Sequence, residues 1–185
     1  MTPKSKQAIK YAAFLRGINV GGNKLIKMDE LKRAFEELGF HGTQTLLASG
    51  NVVFESEVSD VAKLTKAVEA QLAKVFGHEI GVLLRTVEYI RQLVDSQPFG
   101  KKGFGDDAKL YVSLFDGKGK GALKIPYESP QKDLRILSAT NGEVYSVTFP
   151  LGNGRYGNSM TIIEKEFGPK VTTRNWNTIV KVSLK

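Results

Sequence analysis

The tightest constraint on this chain is a short polar link, Ser49-Gly50-Asn51, that joins two short runs reading as strands, 43–48 and 51–55. A link of that length leaves no room for a crossover, so the two runs read as antiparallel neighbours in one sheet. On either side of the pair lie one amphipathic helix and one more strand. Upstream, 9–15 (IKYAAFL) is a short apolar strand. The segment 28–38 (MDELKRAFEEL) places Leu31, Ala34, Phe35 and Leu38 on one helical face. Asp29 and Glu30 fall in its first turn, where negative charge complements the helix dipole, and Gly39 ends it. Downstream, 60–76 is the longest helix, with Val61, Leu64, Val68, Leu72, Val75 and Phe76 as its stripe and Gly77 as its stop. The fourth strand is 80–86 (IGVLLRT). The order β-α-β-β-α-β is that of a ferredoxin-like domain, whose antiparallel strands stand in the spatial order 4-1-3-2.

A helix over 86–95 leads to Pro98, and the glycine-rich stretch FGKKGFGDD marks a junction. The expected division is a ferredoxin-like lobe at 1–97 and a second, smaller α+β lobe at 98–185. Strands are predicted there at 108–115, 133–139 and 143–149, the last two hinged by Asn141-Gly142. A loop rich in glycine and lysine, DGKGKGALKIPYESPQ, separates the first two. After Pro150 comes LGNGRYGNS, then a short helix at 159–167. A final helix is predicted over 174–184, with Thr173 as N-cap and Trp176, Ile179, Val180 and Leu184 on its apolar face. The fold class is therefore α+β.

Composition removes several functions. The chain has no cysteine, which excludes disulfides, thiolate metal sites and cysteine nucleophiles and fits a reducing, cytoplasmic setting. The first ten residues lack the apolar core of a signal peptide, and no stretch reaches the length of a membrane span, so no membrane partner is expected. His41 and His78 stand alone, without metal-ligand spacing. Lys plus Arg number 27 against 19 for Asp plus Glu, a net charge of +8 that favours anionic partners.

The ferredoxin-like order brings two polar segments to one end of the sheet: the loop after the first strand and the link between the second and third. Arg16, Gly17, Asn19, Gly21, Gly22 and Asn23 should lie beside Ser49, Gly50 and Asn51. Guanidinium, amide, hydroxyl and glycine N–H groups suit recognition of phosphate, sulfate or carboxylate. The same glycines and asparagines also serve turns for their own sake, through unusual backbone angles and local hydrogen bonds. Gly17 and Gly22 have the separation of a phosphate-binding loop. Asn23 intervenes before Lys24, however, and Leu25 stands where the magnesium-binding hydroxyl belongs, which excludes that motif. Ser49 has no histidine partner legible in sequence. The third strand carries a single aromatic, Phe54, too few for an RNA-stacking sheet. Arg174 and Asn175 open the predicted last helix, where a cation opposes the dipole by about 0.3–1 kcal/mol and so invites a bound anion or a salt bridge.

Taken together, FLRGINVGGNK, ASGNVVFES and TTRNWNTIVKV resemble a widespread bacterial family, domain of unknown function 1697. The resemblance runs from about residue 9 to 183 and implies a two-lobed α+β fold with a ferredoxin-like first part. The family has no established activity, so no catalytic residues carry over and the cofactor is left open; its hallmark segments fall on Arg16 to Asn23, Ser49 to Asn51 and Arg174 to Asn177. The stretch from Gly117 to Pro130 departs from family versions that are helical there. The reading that follows is a binding protein, monomer or weak dimer, for a phosphate-bearing ligand: a nucleic acid or a nucleotide-like anion. Its rivals are an enzyme on a small phosphorylated or carboxylated substrate and a protein-interaction module.

Overall fold

A computed structural model of the chain describes residues 7–19, 25–100, 103–117, 123–152, 154–157 and 160–185. It divides into two compact units, one of residues 1–91 with 182–185 and one of residues 92–181.

The first unit opens with β1 (Ile9–Leu15), whose last five residues are all buried. Helix α1 (Met28–Glu36) follows, with Leu31, Ala34 and Phe35 inward and Asp29 and Glu30 in its first turn. Then come β2 (His41–Leu46) and β3 (Asn51–Ser56). Helix α2 (Val61–Phe76) is capped by Asp60, whose carboxylate accepts from the Lys63 N–H, and ends on Gly77 in the left-handed region. Strand β4 (Val82–Thr86) completes a four-stranded antiparallel sheet in the order β2-β3-β1-β4. This is the ferredoxin-like order expected from sequence.

The stripe of α2 is narrower than its periodicity suggests. Leu64, Val68 and Leu72 are buried, whereas Val61 and Val75 face solvent. Those three pack with Leu31 and Phe35 of α1 against Tyr11, Leu15, Val52 and Phe54 of the sheet. At about 25 cal/mol per Å2 of apolar surface removed from water, this packing is the main force holding the helices on the sheet.

Helix α3 (Val87–Asp95) starts directly after β4, with Thr86 Oγ1 accepting from the Tyr89 N–H. The second unit holds β5 (Lys109–Leu114), β6 (Tyr127–Glu128), β7 (Leu134–Ala139) and β8 (Glu143–Thr148). It continues with α4 (Met160–Phe167), β9 (Thr172–Asn175) and α5 (Trp176–Ser183). Its five-stranded sheet runs β6-β7-β8-β5-β9 with every pair antiparallel. Ile163 and Phe167 of α4 cover Leu134, Ile136 and Val144. In the same buried region Ser146 Oγ and Thr148 Oγ1 have no hydrogen-bond partner among the described residues.

Two details differ from the sequence expectation. Within the stretch expected to be a loop, Tyr127–Glu128 form the short strand β6, paired with β7. The predicted last helix is a strand in its first part. Arg174 pairs across the sheet with Val112, and the helix begins at Trp176. The N-cap is therefore Asn175, whose Oδ1 accepts from the Asn177 N–H at 2.9 Å, and not Thr173.

Candidate functional site

The loop leaving β1 turns through two left-handed residues, Gly17 at φ 66° and Asn19 at φ 55°. Asparagine is among the few non-glycine residues that enter this region readily. Its side chain then closes the loop. Asn19 Nδ2 donates to the carbonyls of Ile26 (3.1 Å) and Ala48 (2.9 Å), and Asn19 Oδ1 accepts from the Ile26 N–H (2.8 Å). One amide thus ties the two ends of its own loop together and ties both to the β2–β3 link.

That link is fitted tightly. The Leu15 N–H donates to the Gly50 carbonyl at 2.8 Å, and Gly50 sits at φ 74°. A Cβ at Gly50 would stand 2.5 Å from Ile18 Cδ1, so only glycine fits. Asn51 is buried at the start of β3, and its Nδ2 donates to the Leu46 carbonyl (2.8 Å) and to Ser49 Oγ (3.0 Å). The loop and the link accordingly lie together at one end of the sheet. Gly21, Gly22 and Asn23 fall outside the described residues.

The polar groups at this end divide into two kinds. Asn19 and Asn51 spend their amides on local backbone and on Ser49. Arg16, Gly17 and Ser49 are exposed, and the Arg16 backbone is pinned by its N–H donating to the Gly81 carbonyl at 2.9 Å. Ser49 Oγ accepts from the Asn51 amide, which cannot take its proton, so this contact does not activate it as a nucleophile. Leu25 and Leu47 are also exposed, at 73% and 48%. Each immediately precedes a residue whose backbone Asn19 holds, and sequence reading gave no signal for this apolar rim.

Arg174 and Asn175 belong to the second unit. Arg174 is buried, and its guanidinium donates to Thr172 Oγ1 and to the Thr173 carbonyl, both at 2.9 Å. Burial lowers its pKa to about 10, because desolvation disfavours the charged form. The helix-dipole argument for a bound anion at Arg174 lapses, since the residue is on a strand. No group of histidine, aspartate or glutamate among the described residues could hold a metal ion. No helix there is long and apolar enough to cross a membrane.

Comparison with known proteins places the chain. It resembles the solved structure of a conserved bacterial protein from Streptococcus pneumoniae, with a TM-score of 0.65 at 20% identity, covering 96% of this chain and 98% of that one. At that identity the likeness speaks for the fold alone. A comparison with curated proteins finds no match. The model of one family, described as a protein of unknown function (DUF1697), matches residues 9–145. Extending through the whole ferredoxin-like sheet and into β8, that match covers well over half the sequence, and the chain belongs to the DUF1697 family.

Proposed function

We propose that the loop end of the ferredoxin-like unit binds a phosphate-bearing ligand, a nucleic acid or a nucleotide-like anion, through Arg16, the Gly17 backbone and Ser49. The observation that carries the reading is the Asn19 clamp, which ties the loop leaving β1 to the β2–β3 link, the two segments that carry the exposed Arg16 and the exposed Ser49. Preorganised donors lose less entropy on binding, and an arginine fork matches phosphate geometry. The net +8 charge adds long-range attraction. The chain would work in the cytoplasm, as a monomer or weak dimer.

The test uses a short single-stranded RNA at fixed salt, read by fluorescence anisotropy. Arg16→Ala should weaken binding by about 10- to 150-fold, the loss of a charge-assisted hydrogen bond. Lys118→Ala should cost much less, and Ser49→Ala should fall between them. Equal small losses at all three positions, with a steep salt dependence, would leave only diffuse attraction to a basic surface. A second reading, a protein-interaction module, is favoured by the exposed Leu25 and Leu47. Replacing both leucines by serine leaves RNA affinity unchanged on the first reading and abolishes partner capture on the second.

A further inference from the structure

Asn141-Gly142 links β7 to β8, and the Thr140 N–H donates to the Glu143 carbonyl across the turn at 2.8 Å. An asparagine followed by glycine carries its own chemistry. Glycine has no Cβ to shield its backbone nitrogen from the carboxamide of the residue before it. Asn141 is exposed, and its side chain makes no hydrogen bond to a described residue. The other asparagines seen in detail differ. Asn19 and Asn51 spend their amides on backbone carbonyls, and Asn175 Oδ1 caps α5.

A proton acceptor stands beside the turn. Thr140 Oγ1 accepts from the Gly142 N–H at 3.3 Å and from the Glu143 N–H at 3.0 Å. A hydroxyl has two lone pairs and one proton, so these bonds fill its acceptor positions and leave its proton to donate. Its partner is Glu143 Oε2 at 2.5 Å. Glu143 is only 3% exposed. The bonds therefore run from a peptide nitrogen, through a hydroxyl, to a carboxylate, a group able to take a proton. Gly142 is fixed from its other end as well, where its carbonyl accepts from the Phe115 N–H at 2.9 Å.

We infer that Asn141-Gly142 is a self-modifying site. The Gly142 nitrogen attacks Asn141 Cγ, and its proton passes through Thr140 Oγ1 to the Glu143 carboxylate. The new C–N bond closes a succinimide ring, the Cγ–Nδ2 bond breaks, and the returned proton leaves with Nδ2 as ammonia. Water then opens the ring. Attack at Cγ gives aspartate, and attack at the backbone carbonyl carbon gives isoaspartate. Either product puts a carboxylate where an amide stood and lowers the net charge of +8 by one unit. Isoaspartate also lengthens the backbone by a methylene at a crowded place, since a Cβ at Gly117 would stand 2.5 Å from the Asn141 carbonyl oxygen. The site is independent of the ligand reading at the loop end of the ferredoxin-like unit.

The experiment incubates the freshly purified full chain at neutral pH and follows residue 141 by peptide mass mapping. Labelling by an isoaspartyl methyltransferase and release of ammonia are second signals. A parallel sample in urea gives the rate without the fold. General-base assistance is worth roughly 100- to 10,000-fold, and a folded turn forfeits part of it, so Asn141 should react at least about tenfold faster folded than in urea. Thr140→Val and Glu143→Gln should each remove that gain, and Thr140→Ser, which keeps the hydroxyl, should retain it. The Glu143→Gln rate should rise in proportion to hydroxide and the parent rate more shallowly, a difference that a purely structural role for Glu143 does not produce. Asn153-Gly154, the other such pair in the sequence, is mapped separately. Circular dichroism checks each variant, and if Glu143→Gln does not fold, the two Thr140 variants decide. The inference is overturned if Asn141 reacts no faster folded than in urea, or if folded Thr140→Val is modified as fast as the parent.

Discussion

Asn19→Ala tests whether one side chain organises the loop end of the ferredoxin-like unit. The change deletes three hydrogen bonds, two with the Ile26 backbone and one with the Ala48 carbonyl. A neutral hydrogen bond contributes about 0.5–1.5 kcal/mol net. The Ala48 bond is exposed, so water replaces it, and the two Ile26 bonds set the loss at about 1–3 kcal/mol. Alanine must also hold φ near 55°, a left-handed conformation that costs about 1–2 kcal/mol. The sum is about 2–5 kcal/mol for Asn19→Ala, against about 1–3 for Asn19→Gly, which keeps the backbone freedom and loses only the bonds. Urea unfolding followed by far-ultraviolet circular dichroism and by Trp176 emission measures both, and coincident transitions license the free energies. Each kcal/mol should lower Tm by about 2–4 °C for a chain of this size. If both variants unfold within about 0.5 kcal/mol of the parent, the range of ordinary surface changes, the clamp is not what holds this loop.

Gly50→Ala should be about as damaging, because its Cβ would collide with Ile18 at 2.5 Å and overpacking of this kind costs about 1–3 kcal/mol before backbone strain is added; the same denaturation assay reads it. Ser146→Ala and Thr148→Val should be neutral or mildly stabilising in thermal melts, since neither removes a hydrogen bond to a described residue; a loss of more than about 2 kcal/mol would mean that each hydroxyl has a partner, such as ordered water. Tyr11 donates from its buried hydroxyl to the Val58 carbonyl at 2.9 Å, and burial raises its pKa above the usual tyrosine value. A raised folded-state pKa gives stability that is present below about pH 10 and lost as pH rises through the folded value. One of the six tyrosines should therefore ionise late in a difference-absorbance titration, and Tyr11→Phe should flatten the alkaline fall in stability.

The ferredoxin-like sheet was legible because each of its elements carries its period openly and its glycines sit where helices stop. Gly39 and Gly77 both have positive φ at those stops. From that order alone, the meeting of the β1 loop with the β2–β3 link followed. What the sequence does not display is how the polar residues there divide their bonds. Asn19 and Asn51 have the chemistry to hold a ligand, and the same chemistry closes turns; only coordinates show their amides on backbone carbonyls. The end of the chain was misread for a related reason. Thr172-Thr173-Arg174-Asn175 is four residues long, too short to show alternation, and a threonine before a helical stripe resembles an N-cap. Pairing with β5 decides the matter, and that pairing is a long-range fact.

The path of the chain through the two units has a kinetic consequence. Residues 182–185 belong to the same unit as β1, and there the Lys185 carbonyl accepts from Lys10 Nζ at 2.9 Å and the Ser183 carbonyl from Arg91 Nε at 2.9 Å. The ferredoxin-like unit is therefore discontinuous, with ninety residues of another unit threaded before its final segment. During synthesis its sheet and both covering helices emerge early, yet its last contacts wait for the whole of that insert. A nascent chain stalled near residue 180 would hold an almost complete first unit still missing its closing piece. Cutting the chain behind residue 97 would not liberate an intact domain; it would freeze that waiting state.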